Sequence, residues 1–151
     1  MGSNQGRSDR DRGKGYSDFL QAVKKVKELS ELQADQFARE GGLVDSLVRG
    51  TEWQKVKMTQ LRRFFAEVKR ITTRAEKADG AQQLAKLREQ VNMLHPLLAY
   101  AAGRGTIRRE ARDVLIALLD PDKLKSQADF KRLDDVMTSL VAYHKFHYEK
   151  S

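Results

Sequence analysis

Apolar residues recur at helical spacing along most of this chain of 151 residues. The first stripe has the spacing i, i+4, i+7 and i+10 and consists of Phe19, Val23, Val26 and Leu29. Such spacing places the side chains on one face of a helix, and similar stripes continue to the C-terminus. No segment alternates between apolar and polar residues with a period of two, as a half-buried strand would. The pattern predicts an all-α fold, a compact bundle of about five helices.

Glycines, prolines and capping residues divide these stripes into separate helices. The predicted helices cover residues 17–40, 59–79, 84–102, 106–119 and 126–151, with a short helix at 43–49. Thr59 is a predicted N-cap, and Ser126 with Asp129 forms a predicted capping box. Pro96 predicts a kink because it lacks a backbone donor, and Gly103 suits the left-handed position after a helix end.

The first fifteen residues differ from the rest of the chain. Residues 1–15 contain four glycines and four basic residues but almost no apolar side chain. Such a segment buries too little apolar surface to offset the entropy that it would lose on ordering. We therefore predict a disordered, basic N-terminal arm at 1–15 and a single helical-bundle domain at 16–151.

The net charge favours polyanionic partners. The chain has 29 lysines and arginines against 21 acidic residues, a formal net charge of +8 and a pI near 9.8. Nucleic acid is the first candidate, ahead of an acidic membrane or an acidic protein. The absence of cysteine excludes disulfides, thiolate metal sites and cysteine nucleophiles. Because no apolar run reaches 18 residues, we expect a cytoplasmic protein with no membrane partner.

No group of residues forms a recognisable catalytic site. His144 and His147, spaced i, i+3, could offer two metal ligands, but no carboxylate cluster completes such a site. They are better interpreted as semi-buried packing residues beside Met137 and Leu140. The Gly-Arg-Gly turn at 103–105 lacks the Lys-Ser/Thr ending of a phosphate-binding loop and is interpreted as a helix–helix turn. We therefore expect no enzyme activity, no cofactor and no metal.

Basic residues concentrate between positions 55 and 77, where eight lysines and arginines accompany only two glutamates. The predicted contacts to a nucleic-acid backbone are Lys55, Lys57, Arg62, Arg63, Lys69 and Arg70. On a helical wheel the last four form two outward columns, Arg62 with Lys69 and Arg63 with Arg70. The two members of a column stand roughly 10 Å apart along the helix axis. That spacing suits separate phosphates of one strand. The alternative is that these charges only solvate the surface.

Three short motifs are similar to those of a known family. Residues 59–62, Thr-Gln-Leu-Arg, are similar to a helix-opening Ser-Lys-Leu-Arg, and residues 100–104, Tyr-Ala-Ala-Gly-Arg, to an Ala-Gly-Arg turn. Residues 139–146, Ser-Leu-Val-Ala-Tyr-His-Lys-Phe, are similar to a C-terminal Ala-Leu-Val-Ala-Tyr-x-Lys-aromatic signature. In order and spacing, from about Lys55 to the end, they resemble the small subunit of type III-A CRISPR effector complexes, the Csm group.

The resemblance implies a non-catalytic helical-bundle subunit, present in more than one copy and stacked along guide RNA and target RNA beside other subunits. Carried over by position, it implies that Arg62 and Arg104 contact RNA or neighbouring copies. Gln60 stands where the family usually has a basic residue. We also predict that Phe146, which projects away from the apolar stripe of its helix, is a subunit contact. The alternative for Phe146 is a lone exposed aromatic residue.

Two other functions stay open from the sequence. A helix-turn-helix DNA-binding protein would use the helix that begins near Thr106, with Arg108, Arg109 and Arg112 as candidate base-reading residues. A purely structural bundle would bridge protein partners, its positive charge meeting acidic surfaces. Salt-sensitive RNA binding by the isolated protein would argue against the structural bundle.

Overall fold

A computed structural model describes the backbone of residues 2–148 and the side chains of residues 13–50 and 52–148. This part of the chain is helical and contains no strand. Its α-helices are α1 (Gly2–Lys25), α2 (Ala34–Phe37), α3 (Leu43–Val48), α4 (Thr51–Gln54), α5 (Met58–Glu76), α6 (Ala81–Gly103), α7 (Arg109–Leu118) and α8 (Gln127–Tyr148). Short 3-10 turns lie at Leu29–Glu31 and Pro121–Lys123. The five long helices, α1 and α5 to α8, confirm the predicted all-α bundle of about five helices.

The packing of α5 against α8 forms the centre of the bundle. Leu61 and Val68 of α5 and Leu133 and Leu140 of α8 are completely buried. Each such side chain stabilises the fold by about 1.5–3 kcal/mol relative to an exposed position. Helix α8 also packs on α3, and α1 packs on α3 and α7. The apolar stripe predicted for α5 therefore faces the core.

One buried carboxylate holds the N-terminus of α8. Asp129 is completely buried and accepts hydrogen bonds from the backbone N–H groups of Ser30, Lys125 and Ser126 at 2.8–3.0 Å. The backbone N–H of Asp129 in turn lies 3.4 Å from Ser126 Oγ, which confirms the predicted capping box. Burial raises the pKa of this carboxyl, but the hydrogen-bond donors outweigh burial, and the pKa lies below its ordinary value of 3.8.

The first helix ends at Lys25, so the prediction of a longer helix to residue 40 is wrong. The Glu31 carboxylate accepts hydrogen bonds from the backbone N–H groups of Lys27 and Glu28 at 2.9 and 2.6 Å, which stabilises a separate turn. Leu29 is completely buried although it lies outside α1. The turn therefore keeps Leu29 in the core, and the apolar stripe continues past the end of α1.

Two predicted features of helix ends are also wrong. Helix α5 begins one residue before Thr59, so Thr59 lies inside the helix and not at its N-cap. The residue with positive φ after α6 is Gly105, at 78°, and not Gly103, because Arg104 continues the right-handed conformation. Helix α6 runs as one helix through Pro96, and the kink there stays a prediction.

The packed domain includes Gly15, one residue before the predicted boundary. Gly15 is buried, and a Cβ placed on it would lie 2.6 Å from the backbone oxygen of Ser46 in α3. The Tyr16 hydroxyl donates a hydrogen bond to Asp113 of α7 at 3.0 Å. The side chains of residues 2–12 lie outside the described part of the chain. The disorder of the arm at 1–15 and the division into arm and domain stay predictions.

Two alanine substitutions in α1 should have opposite effects. Gly15→Ala should destabilise the protein by about 1–3 kcal/mol, because the added Cβ meets backbone atoms of α3. Gly13→Ala meets no atom within 4 Å and should stabilise by about 0.5–1 kcal/mol, the usual gain over glycine in a helix. Chemical denaturation measures both changes. Equal effects of the two substitutions would contradict the close contact of α1 with α3.

Asp129→Asn should destabilise the protein by about 1.5–3 kcal/mol at pH 7, because the neutral amide turns a donor towards backbone donors. Since the folded-state pKa is lowered, the carboxylate stabilises the fold above about pH 4, and this contribution falls as the pH drops through the folded-state pKa. The difference between variant and wild type should therefore shrink towards pH 3 in urea unfolding. Asp135→Asn, which affects a partly exposed ion pair with Lys131, is the control and should cost less than 1 kcal/mol.

Candidate nucleic-acid interface

All seven residues predicted to contact RNA lie on the surface. They are Lys55, Lys57, Arg62, Arg63, Lys69, Arg70 and Arg104. Six of them lie on α5 or directly before it, and the seventh follows the end of α6. Because Leu61, Phe64 and Val68 of α5 are buried, the intervening basic side chains are held on the solvent side of the helix.

The cations of α5 differ in their electrostatic partners. Lys69 Nζ lies 3.0 Å from both carboxylate oxygens of Asp134 on α8. Asp134 is nearly buried, and its Oδ1 is also 3.4 Å from Thr72 Oγ1. Arg70 Nη1 lies 3.5 Å from Glu67 Oε2 one helical turn before it. The second half of α5 therefore presents charge that is partly neutralised within the protein.

The first half of α5 has no acidic residue in its opening turn. Lys57 occupies the N-cap position, and no side chain there accepts a hydrogen bond from the first amides of the helix. The first amides of a helix have no acceptor within the helix, and together with the positive end of the helix dipole they favour an anion. Arg62 and Arg63 project from the next turn, so this end of the helix combines side-chain and backbone donors.

Arg63 and Arg104 line the same cleft, which has a volume of about 510 Å³. The cleft lies between the first half of α5 and the C-terminal end of α6. Its other lining residues are Gln60, Phe64, Glu67, Leu97, Leu98, Tyr100, Ala101, Thr106 and Ile107. The structure thus brings together two predicted RNA-binding residues that stand 41 positions apart in the sequence.

The turn after α6 sets the position of Arg104. Gly105 takes a positive φ of 78°, and the backbone N–H and hydroxyl of Thr106 both donate to the carbonyl of Ala101, at 3.0 and 3.1 Å. Arg104 Nη1 donates to the Tyr100 hydroxyl at 3.3 Å, and the guanidinium carbon lies 5.6 Å from the centre of the Tyr100 ring. The turn therefore directs a cation and an exposed aromatic ring to one place.

Two of the three candidate DNA-reading residues at the start of α7 have acidic partners. Arg108 Nε lies 2.9 Å from Glu52 Oε2, and Arg112 Nη1 lies 3.0 Å from Asp113 Oδ1. Glu110 in the first turn of α7 has a raised pKa, because it is partly buried and lies near Glu52 and Asp113. These acids reduce the positive potential that a DNA phosphate backbone would meet at α7.

The histidines contact the protein itself. His144 is buried, as predicted for a packing residue, and its Nε2 lies 3.0 Å from the Trp53 carbonyl. His147 Nε2 lies 2.6 Å from Oδ1 of buried Asp45, and His95 Nε2 lies 2.6 Å from a backbone carbonyl. Among the residues that the structure describes, no group of three or more histidines and carboxylates could hold a metal ion.

Sequence reasoning missed the exposed apolar residues of α6. Met93, Leu97 and Tyr100 have 67%, 54% and 64% of their surface exposed. A signal was present, because these residues follow i, i+4 and i+7 on a different side of the helix from buried Leu94 and Leu98. Two of these residues, Leu97 and Tyr100, line the cleft beside Arg63 and Arg104, whereas Met93 does not.

Phe146 is 75% exposed near the C-terminal end of α8, and its ring centre lies 5.1 Å from that of His147. Exposure is what a subunit contact requires, and the contact itself stays a prediction. Over residues 2–148, none of the helices combines the length and the apolar character needed to span a membrane.

Comparison with known protein families matches residues 43–150 to the family described as Csm2 Type III-A. The matched region runs from α3 to α8 and contains all seven predicted RNA-binding residues and Phe146. Comparisons with curated proteins and with solved structures gave no match. Because the family match covers more than half of the chain, the resemblance of the three motifs is confirmed. The chain belongs to the Csm2 Type III-A family and is a small subunit of a type III-A CRISPR complex.

Proposed function

We propose that this subunit binds the sugar–phosphate backbones of guide RNA and target RNA in the effector complex without reading their sequence. It has no catalytic role, needs no cofactor, and acts in the cytoplasm in antiviral defence beside other subunits and further copies of itself. Arg62, Arg63 and Arg104 provide the main contacts. Lys55 and Lys57 extend the basic surface before α5, and Arg70 extends it towards the C-terminal end of the helix.

The observation that carries this proposal is the convergence of Arg63 and Arg104 on one exposed cleft beside the acid-free first turn of α5. A guanidinium can donate two parallel hydrogen bonds to one phosphate, so two such groups can hold consecutive phosphates of a strand. The stretch from position 55 to 77 has eight basic and two acidic residues. Such an excess supports binding that depends on charge and weakens as salt is added.

Lys69 is the weakest contact in this proposal. Its ammonium group already lies 3.0 Å from both oxygens of Asp134, and moving it to a phosphate would leave a nearly buried carboxylate without its cation. Leaving a charge unpaired in the interior is unfavourable. Lys69 therefore contributes long-range potential to the RNA and a direct ion pair to the protein.

The DNA-binding alternative has less support, because Arg108 directly before α7 and Arg112 within it are paired with acidic residues. Phosphate contacts fix position, whereas base contacts give sequence specificity, and base-reading side chains must be free to reach a groove. The basic surface of α5 suits the first role.

Replacing Arg63 and Arg104 together by glutamine should weaken binding of every single-stranded RNA by a similar factor. Log affinity falls as log salt rises, and each lost phosphate contact reduces the magnitude of this negative slope by about 0.7 for a single strand. The slope of the double variant should therefore be smaller in magnitude by about 1.4. Fluorescence anisotropy over a range of salt concentrations measures this slope for the isolated protein. The same RNAs are then tested on the assembled complex.

Lys86→Gln is the matched control, because Lys86 is an exposed lysine of α6 that stands roughly 27 Å along the helix axis from Arg104. It should leave the salt slope unchanged to within the error of the measurement. If the double arginine variant keeps full affinity and the full slope, both alone and in the complex, the RNA is bound elsewhere. Affinities that differ more than about a hundredfold between unrelated RNAs of equal length would contradict sequence-tolerant binding.

Phe146→Ala should weaken incorporation of the subunit into the effector complex without lowering its own stability. The ring is 75% exposed, so its loss should change the free energy of unfolding by less than about 0.5 kcal/mol. Native mass spectrometry of reconstituted complexes measures occupancy of the small-subunit positions. Lys145→Ala, at the exposed neighbouring residue, is the control and should leave occupancy at the wild-type value. Wild-type occupancy for Phe146→Ala as well would show that Phe146 is not a contact.

A further inference from the structure

The cleft between α5 and α6 combines an apolar wall with a cationic edge. Leu97 and Tyr100 are more than half exposed at its side, while Phe64, Leu98 and Ile107 line it as buried residues. A phosphate needs only the arginines of this cleft and has no use for its apolar wall. The apolar wall therefore suits a ligand with an apolar or aromatic part.

We infer that this cleft holds one unstacked nucleotide of the bound RNA, with its base against Tyr100 and Leu97 and an adjacent phosphate on Arg63 and Arg104. This inference rests on the proposed function and adds a base contact to it. A base splayed out of a single strand presents a flat aromatic face joined to an anion, which is the combination that the cleft complements.

The volume of about 510 Å³ is in the range of sites that enclose a small organic ligand. An isolated surface phosphate contact needs no cavity, since it can be made on a flat or convex surface. The depth of the cleft is set by α5 and α6, whose packed side chains, including Phe64 and Leu98, form its floor. The site is therefore formed by two helices and the short turn after α6, and not by a long loop.

Tyr100 and Arg104 form a paired stacking surface. The hydrogen bond of 3.3 Å from Arg104 to the Tyr100 hydroxyl, together with the guanidinium over the ring at 5.6 Å, keeps the two groups together. Aromatic rings and guanidinium planes both stack on bases. A base that stacks on the Tyr100 ring would therefore have its phosphate beside a cation.

The polar residues of the cleft suit binding of any of the four bases better than selection of one base. Gln60, Glu67 and Thr106 provide donors and acceptors at its rim. Glu67 is already oriented by Arg70 at 3.5 Å, and a glutamine amide can turn to present either a donor or an acceptor. Stacking is available to every base because each has a π-face. The inferred contact therefore agrees with sequence-tolerant binding.

The experiment compares one single-stranded RNA with an abasic ribose–phosphate strand of the same length, on wild type, Tyr100→Ala and Tyr100→Phe. Tyr100→Ala should weaken binding of the RNA by roughly 5- to 100-fold, the usual range for losing one base–aromatic stack, and should leave the abasic strand unaffected. Tyr100→Phe keeps the ring and should bind both strands nearly as wild type does. The salt slope should not change in either variant, because no phosphate contact is lost.

Met93→Ala is the matched control, since Met93 is exposed to a similar degree on the same helix but does not line the cleft. It should bind both strands as wild type does. Thermal unfolding of each variant verifies that the largely exposed Tyr100 can be replaced without loss of the fold. The assembled complex is tested with the same variants for RNA affinity and subunit composition.

The outcomes separate this inference from the proposed function. If Tyr100→Ala weakens both strands equally, the ring only positions Arg104, and the base contact is wrong. Tyr100→Ala could leave the affinity for both strands unchanged while the Arg63 and Arg104 double variant still reduces the magnitude of the salt slope. The base contact is then again wrong, and the RNA interface stands. If Tyr100→Ala changes subunit composition but not RNA affinity, the cleft holds a protein side chain and the inference is overturned.

Discussion

The packing of α5 on α8 determines which side of α5 reaches solvent. Burial of Leu61 and Val68 in the core leaves Arg62 and Arg63 outside, because successive residues of a helix point about 100° apart. Helix α8 is itself fixed at both ends. Its N-terminus is held by Asp129, and the Tyr148 hydroxyl near its C-terminus donates to a backbone carbonyl of α3 at 2.6 Å. Rotating α8 would break these hydrogen bonds and expose the apolar stripe of α5.

The helical content and the inward faces could be predicted from sequence, because a period of 3.6 residues is a local property of the chain. The end of α1 could not. The turn that follows α1 is held by the Glu31 carboxylate and also by Asp129, which accepts the backbone N–H of Ser30 from 99 residues away in the sequence. The apolar stripe continues through this turn, since Leu29 is completely buried although it lies outside the helix. Patterns of burial identify faces, whereas ends of helices depend on individual polar contacts.

The candidate site divides in the same way. The wheel correctly placed the cations of α5 on the outside, but it contained no information on Asp134, which pairs with Lys69 from 65 residues away. It also could not show that Arg63 and Arg104 meet, since that depends on how α5 packs against α6. The exposure of Tyr100 beside Arg104 was not evident from the sequence because α6 has apolar residues on more than one face. Three-dimensional neighbours, and not residue type, distinguish the cation that pairs with a buried acid from those proposed to bind RNA.

The ion pair of Lys69 with Asp134 has an evolutionary consequence. A change of Lys69 to a neutral residue would leave a nearly buried negative charge, so a lineage that loses the lysine is expected to lose the aspartate as well. Within the described part of the chain, Arg63 and Arg104 form no ion pair with a buried acid, so they are expected to diverge with the nucleic acid that we propose they bind. Lys69 and Arg63, both basic residues of α5, are thus expected to evolve differently. Lys69 should change together with buried Asp134, and Arg63 with the RNA that we propose it binds.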